Sequence, residues 1–376
     1  MPSLTSLTSL AARLPRPTAA GAGATATPAA TGERPDGRDH FFDNAKYLAI
    51  VLVAMGHAWE PLPDSGRLVE TVYTFVYTFH MPVFIMIAGY FSRGFELRPD
   101  RVWKLVTGIL VPYAVFDIVF AYFHRAVGDP TVSVFPSLFA PYWLLWFLPA
   151  LFFWRLSTPL WQAVRAPVAV ALGVAALASM SLGIDQGMQV QRMLQFLPFY
   201  VLGLRLGPHH FDLVRRTWVR VVSLPVFALA LLAAYWAVPR TTTLWFYRQY
   251  SAQELGSPAW AGPSATLLLF GFAVLLGACF LAWVPNRRTW MSALGACTLY
   301  GYLLHGFVIR TALYRGVYDE PFLSTPLGTV AVTVGGAVVV TLLCTPPVRR
   351  VLRHVVEPRM NWARQGRAGS EAPRRV

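Results

Sequence analysis

Lys46 and His57 lie eleven residues apart in the apolar segment FFDNAKYLAIVLVAMGHAWEPL, and Glu60 follows three residues after the histidine. Histidine can accept a proton near neutral pH because its unperturbed pKa is close to 6.5. A carboxylate one helical turn away sits on the same face and can orient the ring, so His57 and Glu60 are expected to act as a general base and its partner. Along a helix rising 1.5 Å per residue, His57 stands about 16 Å above Lys46. The lysine is expected at one edge of an apolar layer and the histidine near its middle or beyond. Pro61 should end the helix.

Further ionisable residues fall inside apolar runs. His80 is placed near the middle of the second run, and Asp117 and His305 fall in the outer halves of the third and ninth. Each such group costs about 2.5–3.5 kcal/mol on insertion scales, so each needs a reason to be there. Arg101 and Lys104 join Lys46 at the opposite, inner edge. The asymmetry suggests a path from an anionic ligand on the inner side to a reaction site open to the outer side. Plainer readings stand beside this one. His80 and His305 also suit helix–helix hydrogen bonds, Asp117 a structural pair with a polar neighbour, and Glu60 a helix end at the interface. Arg101 and Lys104, like Arg215, Arg216, Arg220, Arg349, Arg350 and Arg353, also serve as topology anchors.

Composition decides what kind of layer this is. Of 376 residues, 55% are hydrophobic and 13% charged, about half the charged share of soluble domains. A soluble chain of this length has no interior able to absorb 25 Phe, 13 Trp and 15 Tyr. Soluble nucleotide-binding and barrel enzymes are thereby excluded, and an all-α polytopic membrane protein is expected, because backbone in lipid must pair internally. About ten apolar segments approach the length a bilayer requires: 42–61, 69–91, 103–124, 138–156, 167–183, 191–207, 221–239, 264–284, 290–312 and 325–345. The fifth and tenth are rich in Ala, Val and Gly and should pack closely on neighbours. With the N-terminus in the cytoplasm, most of the 32 lysines and arginines fall on the inner side, so both termini are expected there. That placement also accounts for the net charge of +14 without a nucleic-acid partner.

Residues 1–40 carry no sustained apolar run and are expected to be a disordered cytoplasmic tail. Residues 41–347 form the membrane domain, and 348–376 a basic cytoplasmic tail. Cys279, Cys297 and Cys344 stand alone in apolar runs, so neither a disulfide framework nor a metal site is expected. The loop near 240–263 carries Trp245, Phe246, Tyr247 and Tyr250, which could contact a ligand.

The segment RDHFFDNAKYLAIVLVAMGHAWEPL resembles the opening signature of acyltransferase family 3, the polytopic acyl-CoA-dependent transferases that modify cell-surface glycans. It is most similar to the fucose 4-O-acetylase-related branch. FHMPVFIMIAGYFSR (79–93), VPY (111–113), LLWFLPALFFWRL (144–156), LPFYVLGLRLG (197–207) and LGACTLYGYLLHGFV (294–308) are similar to later family blocks. Lys46 stands where the family usually has arginine. Arg101-Val-Trp-Lys104 stands for its cytoplasmic Arg-x-x-Arg pattern.

The resemblance implies acetyl transfer from acetyl-CoA, a co-substrate, to a hydroxyl of a carbohydrate acceptor, free or lipid-linked, in the plasma membrane. His57 would be the base, either directly or through an acyl-histidine. Lys46, Arg101, Lys104 and Arg38 would hold the CoA phosphates, with Asp43 orienting Lys46 and Asp39 extending the network. Acceptor handling is expected within the membrane domain, in contact with membrane lipids. The alternative is a glycolipid transporter or flippase using the buried histidines as a proton relay. The absence of an internal repeat weighs against it.

Overall fold

Each of the ten apolar segments is helical in the computed structural model, which describes residues 39–62, 66–128, 135–184, 187–358 and 360. All of these lie in one unit that begins at Asp39. The helices are α1 (His40–Trp59), α2 (Gly66–Ser92), α3 (Pro99–Val127), α4 (Trp143–Leu156) and α5 (Pro167–Ser179). They continue with α6 (Val190–Arg205), α7 (Thr217–Ala237), α8 (Ala261–Trp283), α9 (Thr298–Tyr314) and α10 (Pro326–Leu343). Among the described residues there is no strand. Five helices, α2, α3, α7, α8 and α10, are long and apolar enough to cross a membrane. The others are shorter or carry polar residues along their length, α1 foremost, with Asp43, Asn44, Lys46 and His57.

The expected N-terminal tail falls on residues outside the described ones, except at its edge. Asp39 is the N-cap of α1, its carboxylate accepting from the Phe41 amide at 3.1 Å, and His40 is the first helical residue. The helix therefore starts two residues earlier than its apolar run, because a cap requires a side-chain acceptor and not hydrophobicity. At the other end, α1 stops at Trp59 with Glu60 as the C-cap, where Pro61 cannot continue the ladder. The expected basic tail likewise begins as a helix, α11 (Pro346–Val356), with Arg349 paired to Glu357 at 3.1 Å.

α1 stands between two packed cores. Phe41, Phe42 and Ala45 join one with Phe79, Met86, Trp146, Tyr200 and Leu276, which unites α2, α4, α6 and α8. Ile50, Val53 and Ala54 join the other, with Tyr113, Phe120, Leu303 and Val340 from α3, α9 and α10. α2 crosses α6 so closely that a Cβ on Gly89 would collide with the Tyr200 carbonyl, and one on Gly203 with that of Met86. Two glycines facing each other let the backbones touch, which is how apolar helices gain contact where lipid offers no hydrophobic drive. α5 buries one face only, through Ala171, Ala175 and Ala178. α7 buries almost nothing and exposes Val221, Leu224, Leu229, Leu232 and Trp236, a surface suited to hydrocarbon.

α3 contains one π-helical turn, Val106–Leu110, directly after Lys104. Pro112 follows it and lacks an amide proton for the Gly108 carbonyl, so the ladder widens there. At the start of α1, Asn44 is fully buried and spends all its hydrogen-bonding groups. Its Nδ2 donates to the carbonyls of Pro285 (2.9 Å) and Arg287 (3.0 Å), and its Oδ1 accepts from Thr289 (2.9 Å) and Ser292 (2.8 Å). The loop between α8 and α9 is thus fastened beside Asp43 and Lys46.

Gly89→Val should prevent the α2–α6 approach. Overpacking of this kind costs about 1–3 kcal/mol or more, so the variant should show a lowered melting temperature or a loss of monodisperse protein in detergent. An unchanged thermal profile would contradict the close crossing.

Candidate active site

His57 projects from the last full turn of α1, and its Nδ1 lies 3.0 Å from Oε1 of Glu60. A carboxylate can only accept, so Nδ1 carries a proton, and in the neutral ring the lone pair is then on Nε2. The same Glu60 oxygen accepts from the hydroxyls of Tyr77 (2.5 Å) and Tyr73 (3.3 Å). Those two residues are four apart on α2, and their rings stack at 4.1 Å. The Tyr73 hydroxyl also meets that of Tyr247 at 2.5 Å. Glu60 therefore has donors enough to remain a carboxylate facing His57, with His57 and Glu60 side chains 15% and 25% exposed.

Two further rings bound the His57 imidazole. Trp143 meets it edge to face with centroids 4.6 Å apart, and His305 lies at 5.5 Å. His305 and His80 share the His57 tautomer, for each donates from Nδ1 to a backbone carbonyl: Gly301 at 2.8 Å and Val76 at 2.9 Å. The helix–helix hydrogen bond expected of a buried histidine is therefore not what either makes through Nδ1. Each bonds within its own helix, and Nε2 of His305 is buried without a partner.

Trp143 has a left-handed backbone, φ 42°, a conformation that costs a bulky residue about 1–3 kcal/mol and persists only when its surroundings impose it. The surroundings do so here. Asp117 of α3 accepts from the amides of Ser137 (3.1 Å) and Tyr142 (3.2 Å), and Tyr113 donates to the Leu138 carbonyl at 2.9 Å. Tyr302 donates to the Leu144 carbonyl. On its face Trp143 carries the Arg310 guanidinium, 4.2 Å from the ring centroid. Asp117, placed by its sequence position near the chemistry, anchors the loop that holds an indole against the base.

His57, Glu60, His80, Trp143 and Tyr77 open on a cavity of about 710 Å³, within the range of small-molecule sites. Trp59, Trp146, Phe246 and Tyr247 add aromatic walls, and Glu70, Gln189, Arg192 and Gln249 add polar groups. Arg192 donates to the Tyr247 carbonyl (2.8 Å) and to Gln189 (3.0 Å) while lying over the Trp146 ring. Two of the four aromatics noted in the loop near 240–263, Phe246 and Tyr247, thus reach the cavity.

Lys46 pairs with Asp43 at 2.8 Å, and Arg101 donates to the Gly94 carbonyl. Lys104 lies exposed in the last turn before the π segment. None of the three lines the cavity at His57, and Arg38 lies outside the described residues. Sequence reasoning set His57, Glu60, His80, Asp117 and His305 at one level; His57, Glu60 and His80 line the cavity, His305 lies against His57, and Asp117 does not line it. Sequence reasoning missed Tyr73, Tyr77, Trp143 and Arg192. The four-residue spacing of the two tyrosines is a helix-face signal that could have been read, whereas nothing local marks Trp143.

An all-helical protein with a carboxylate-held histidine on an aromatic cavity is the setting for these comparisons. Residues 39–346 match the family described as "Acyltransferase domain", and the chain belongs to acyltransferase family 3. It is a helical membrane protein of that family. It is 25% identical over 355 residues to "Nodulation protein NolL" of Mesorhizobium japonicum, covering 85% of this chain and 89% of that one. To the protein of the same name in Sinorhizobium fredii it is 27% identical over 299 residues, covering 73% and 78%. No solved structure matches the chain.

Asp117→Ala should leave two backbone amides without an acceptor, at about 1–3 kcal/mol each. A lower melting temperature and a parallel loss of acyl transfer are expected. Full stability would mean that the loop holds Trp143 without that carboxylate.

Proposed function

We propose that the protein moves an acetyl group from cytoplasmic acetyl-CoA to a hydroxyl of a cell-surface or lipid-linked carbohydrate, with His57 as general base. The observation that carries this reading is the His57 Nδ1–Glu60 contact, which in the neutral ring puts the lone pair on Nε2, on a histidine that lines a cavity of aromatic walls and polar groups. Aromatic faces suit the C–H faces of a sugar ring, and the polar groups suit its hydroxyls.

In this mechanism Nε2 takes the acceptor hydroxyl's proton while its oxygen attacks the thioester carbon. Collapse of the tetrahedral intermediate breaks the carbon–sulfur bond, and the proton passes on to the CoA thiolate. Glu60 orients the ring and stabilises the imidazolium that forms. The tyrosine hydroxyls hold Glu60 in place. A path through an acetylated His57 uses the same groups in two steps.

Lys46, Arg101 and Lys104, with Arg38, hold the donor's phosphates on the inner side, and Asp43 orients Lys46. The ten helices α1–α10 span the plasma membrane with both termini in the cytoplasm. Residues 41–347 are the catalytic membrane domain. The fucose 4-O-acetylase-like branch is supported by the Asp43-Asn44-Ala45-Lys46 run and its eleven-residue distance to His57.

His57→Ala should abolish label transfer from radiolabelled acetyl-CoA to glycan in membranes containing the protein, at unchanged protein level. Glu60→Gln should lower the rate by about 10²–10⁴, the scale of a general base deprived of its orientation. Substantial transfer by His57→Ala rejects the assignment. Label that stays on CoA with the wild-type protein returns the transporter reading. Lys46→Ala should raise the KM for acetyl-CoA. A change confined to the acceptor's KM rejects the phosphate role.

A further inference from the structure

A second cavity, about 250 Å³, lies between α1, α9 and α10. Its walls include Ala54 and Ala58 of α1, Ile309 and Ala312 of α9, and Gly335 and Gly336 of α10, and His305 lines it as well. Tyr318 reaches it too, but its hydroxyl is spent on the Ala58 carbonyl at 3.0 Å. His305 is fully buried, and its Nε2 has no hydrogen-bond partner. A sugar placed here would lose the hydrogen bonds its hydroxyls make in water and regain almost none. A hydrocarbon loses nothing.

Each cavity is lined by one of two neighbouring histidines. His57 lines the aromatic cavity, His305 lines the apolar one, and their rings are 5.5 Å apart. An acyl carbon brought to His57 thus lies beside the polar, aromatic cavity and one histidine ring away from the largely apolar one. The volume exceeds what the methyl of an acetyl group fills. Gly336 is closed off, since a Cβ there would meet that of Ala58 at 3.2 Å, but a Cβ on Gly335 would meet nothing within 4 Å.

We propose that the cavity between α1, α9 and α10 receives the alkyl part of the acyl group, so that the enzyme transfers acyl groups longer than acetyl. This rests on the acyl-transfer reading above. The reaction is otherwise unchanged: the acceptor oxygen bonds to the acyl carbon, the thioester carbon–sulfur bond breaks, and the hydroxyl proton passes through His57 to the thiolate, giving free CoA. The alkyl chain takes no part in the bonds exchanged.

The test uses membranes containing the full chain, which also supply the acceptor, with radiolabelled acetyl-, butyryl- and hexanoyl-CoA compared as donors. Wild-type protein should transfer butyryl and hexanoyl groups to the glycan fraction in a His57-dependent manner. Gly335→Leu, which fills the open space, should lower the hexanoyl-to-acetyl ratio by about tenfold or more, the discrimination that a methylene or two commands in an apolar pocket. Gly335→Ala should give a smaller shift in the same direction, and it serves if the leucine variant does not fold. Transfer of acetyl alone by the wild type overturns the proposal and leaves the acyltransferase reading intact. So does a chain-length profile that neither Gly335 variant changes, the result expected if a bilayer lipid tail fills the cavity. Failure to transfer any acyl group, acetyl included, overturns both.

Discussion

One carboxylate oxygen organises the end of α1 that carries His57. Oε1 of Glu60 accepts from the imidazole of His57 and from two tyrosine hydroxyls. Because a carboxylate cannot donate, that contact decides which nitrogen of the neutral His57 ring carries its proton and which is bare. A histidine without such a partner could populate either tautomer and turn freely about its side-chain torsions. Here the ring is held at Nδ1, is walled by Trp143 and His305, and lines the large cavity, with the lone pair of the neutral ring on Nε2. The proposed chemistry depends on that lone pair.

Holding one ring in place draws on much of the fold. α2 must lie close enough to α1 to present Tyr73 and Tyr77, and α2 is itself fastened to α6 through facing glycines. The start of α4 must keep a tryptophan in a left-handed conformation, and α3 and α9 do this by accepting from or donating to the backbone on either side of it. Buried polar groups are costly in a low-dielectric setting unless they are paired. The pairs seen around Asp117, Glu60 and Asn44 are what make polar residues tolerable in an apolar protein. The same pairs bring distant segments together.

Two carboxylate–base pairs stand at opposite ends of α1. Lys46 and Asp43 lie at the start of the helix, beside the loop that Asn44 fastens, while His57 and Glu60 lie at its finish. In the proposed reading the donor's charged portion stays at the first end and its reactive thioester reaches the second. A single rigid helix sets the distance between the two. The apolar cavity beside His305 and the aromatic cavity beside His57 divide the second end again, by solvation and not by charge.

The helical character, the apolar segments and the pairing of His57 with Glu60 were legible in the chain alone, because hydropathy and helical periodicity are local properties. So were the carboxylate one turn away that could orient the ring and the start of the family signature. The role of Asp117 was not legible, since its partners are backbone amides twenty and twenty-five residues away. Nor was Trp143, which reaches His57 from 86 positions along the chain, or Tyr247, which closes the ring of hydroxyls around Glu60 from a connecting loop. Lys46 and Arg101, grouped by the sequence at one edge of the apolar layer, hold separate partners, the Asp43 carboxylate and the Gly94 carbonyl. Sequence spacing determines which residues share a helix face. Which faces meet, and what space remains between them, is decided only when close-packed helices fill the volume and leave cavities where small side chains fail to do so.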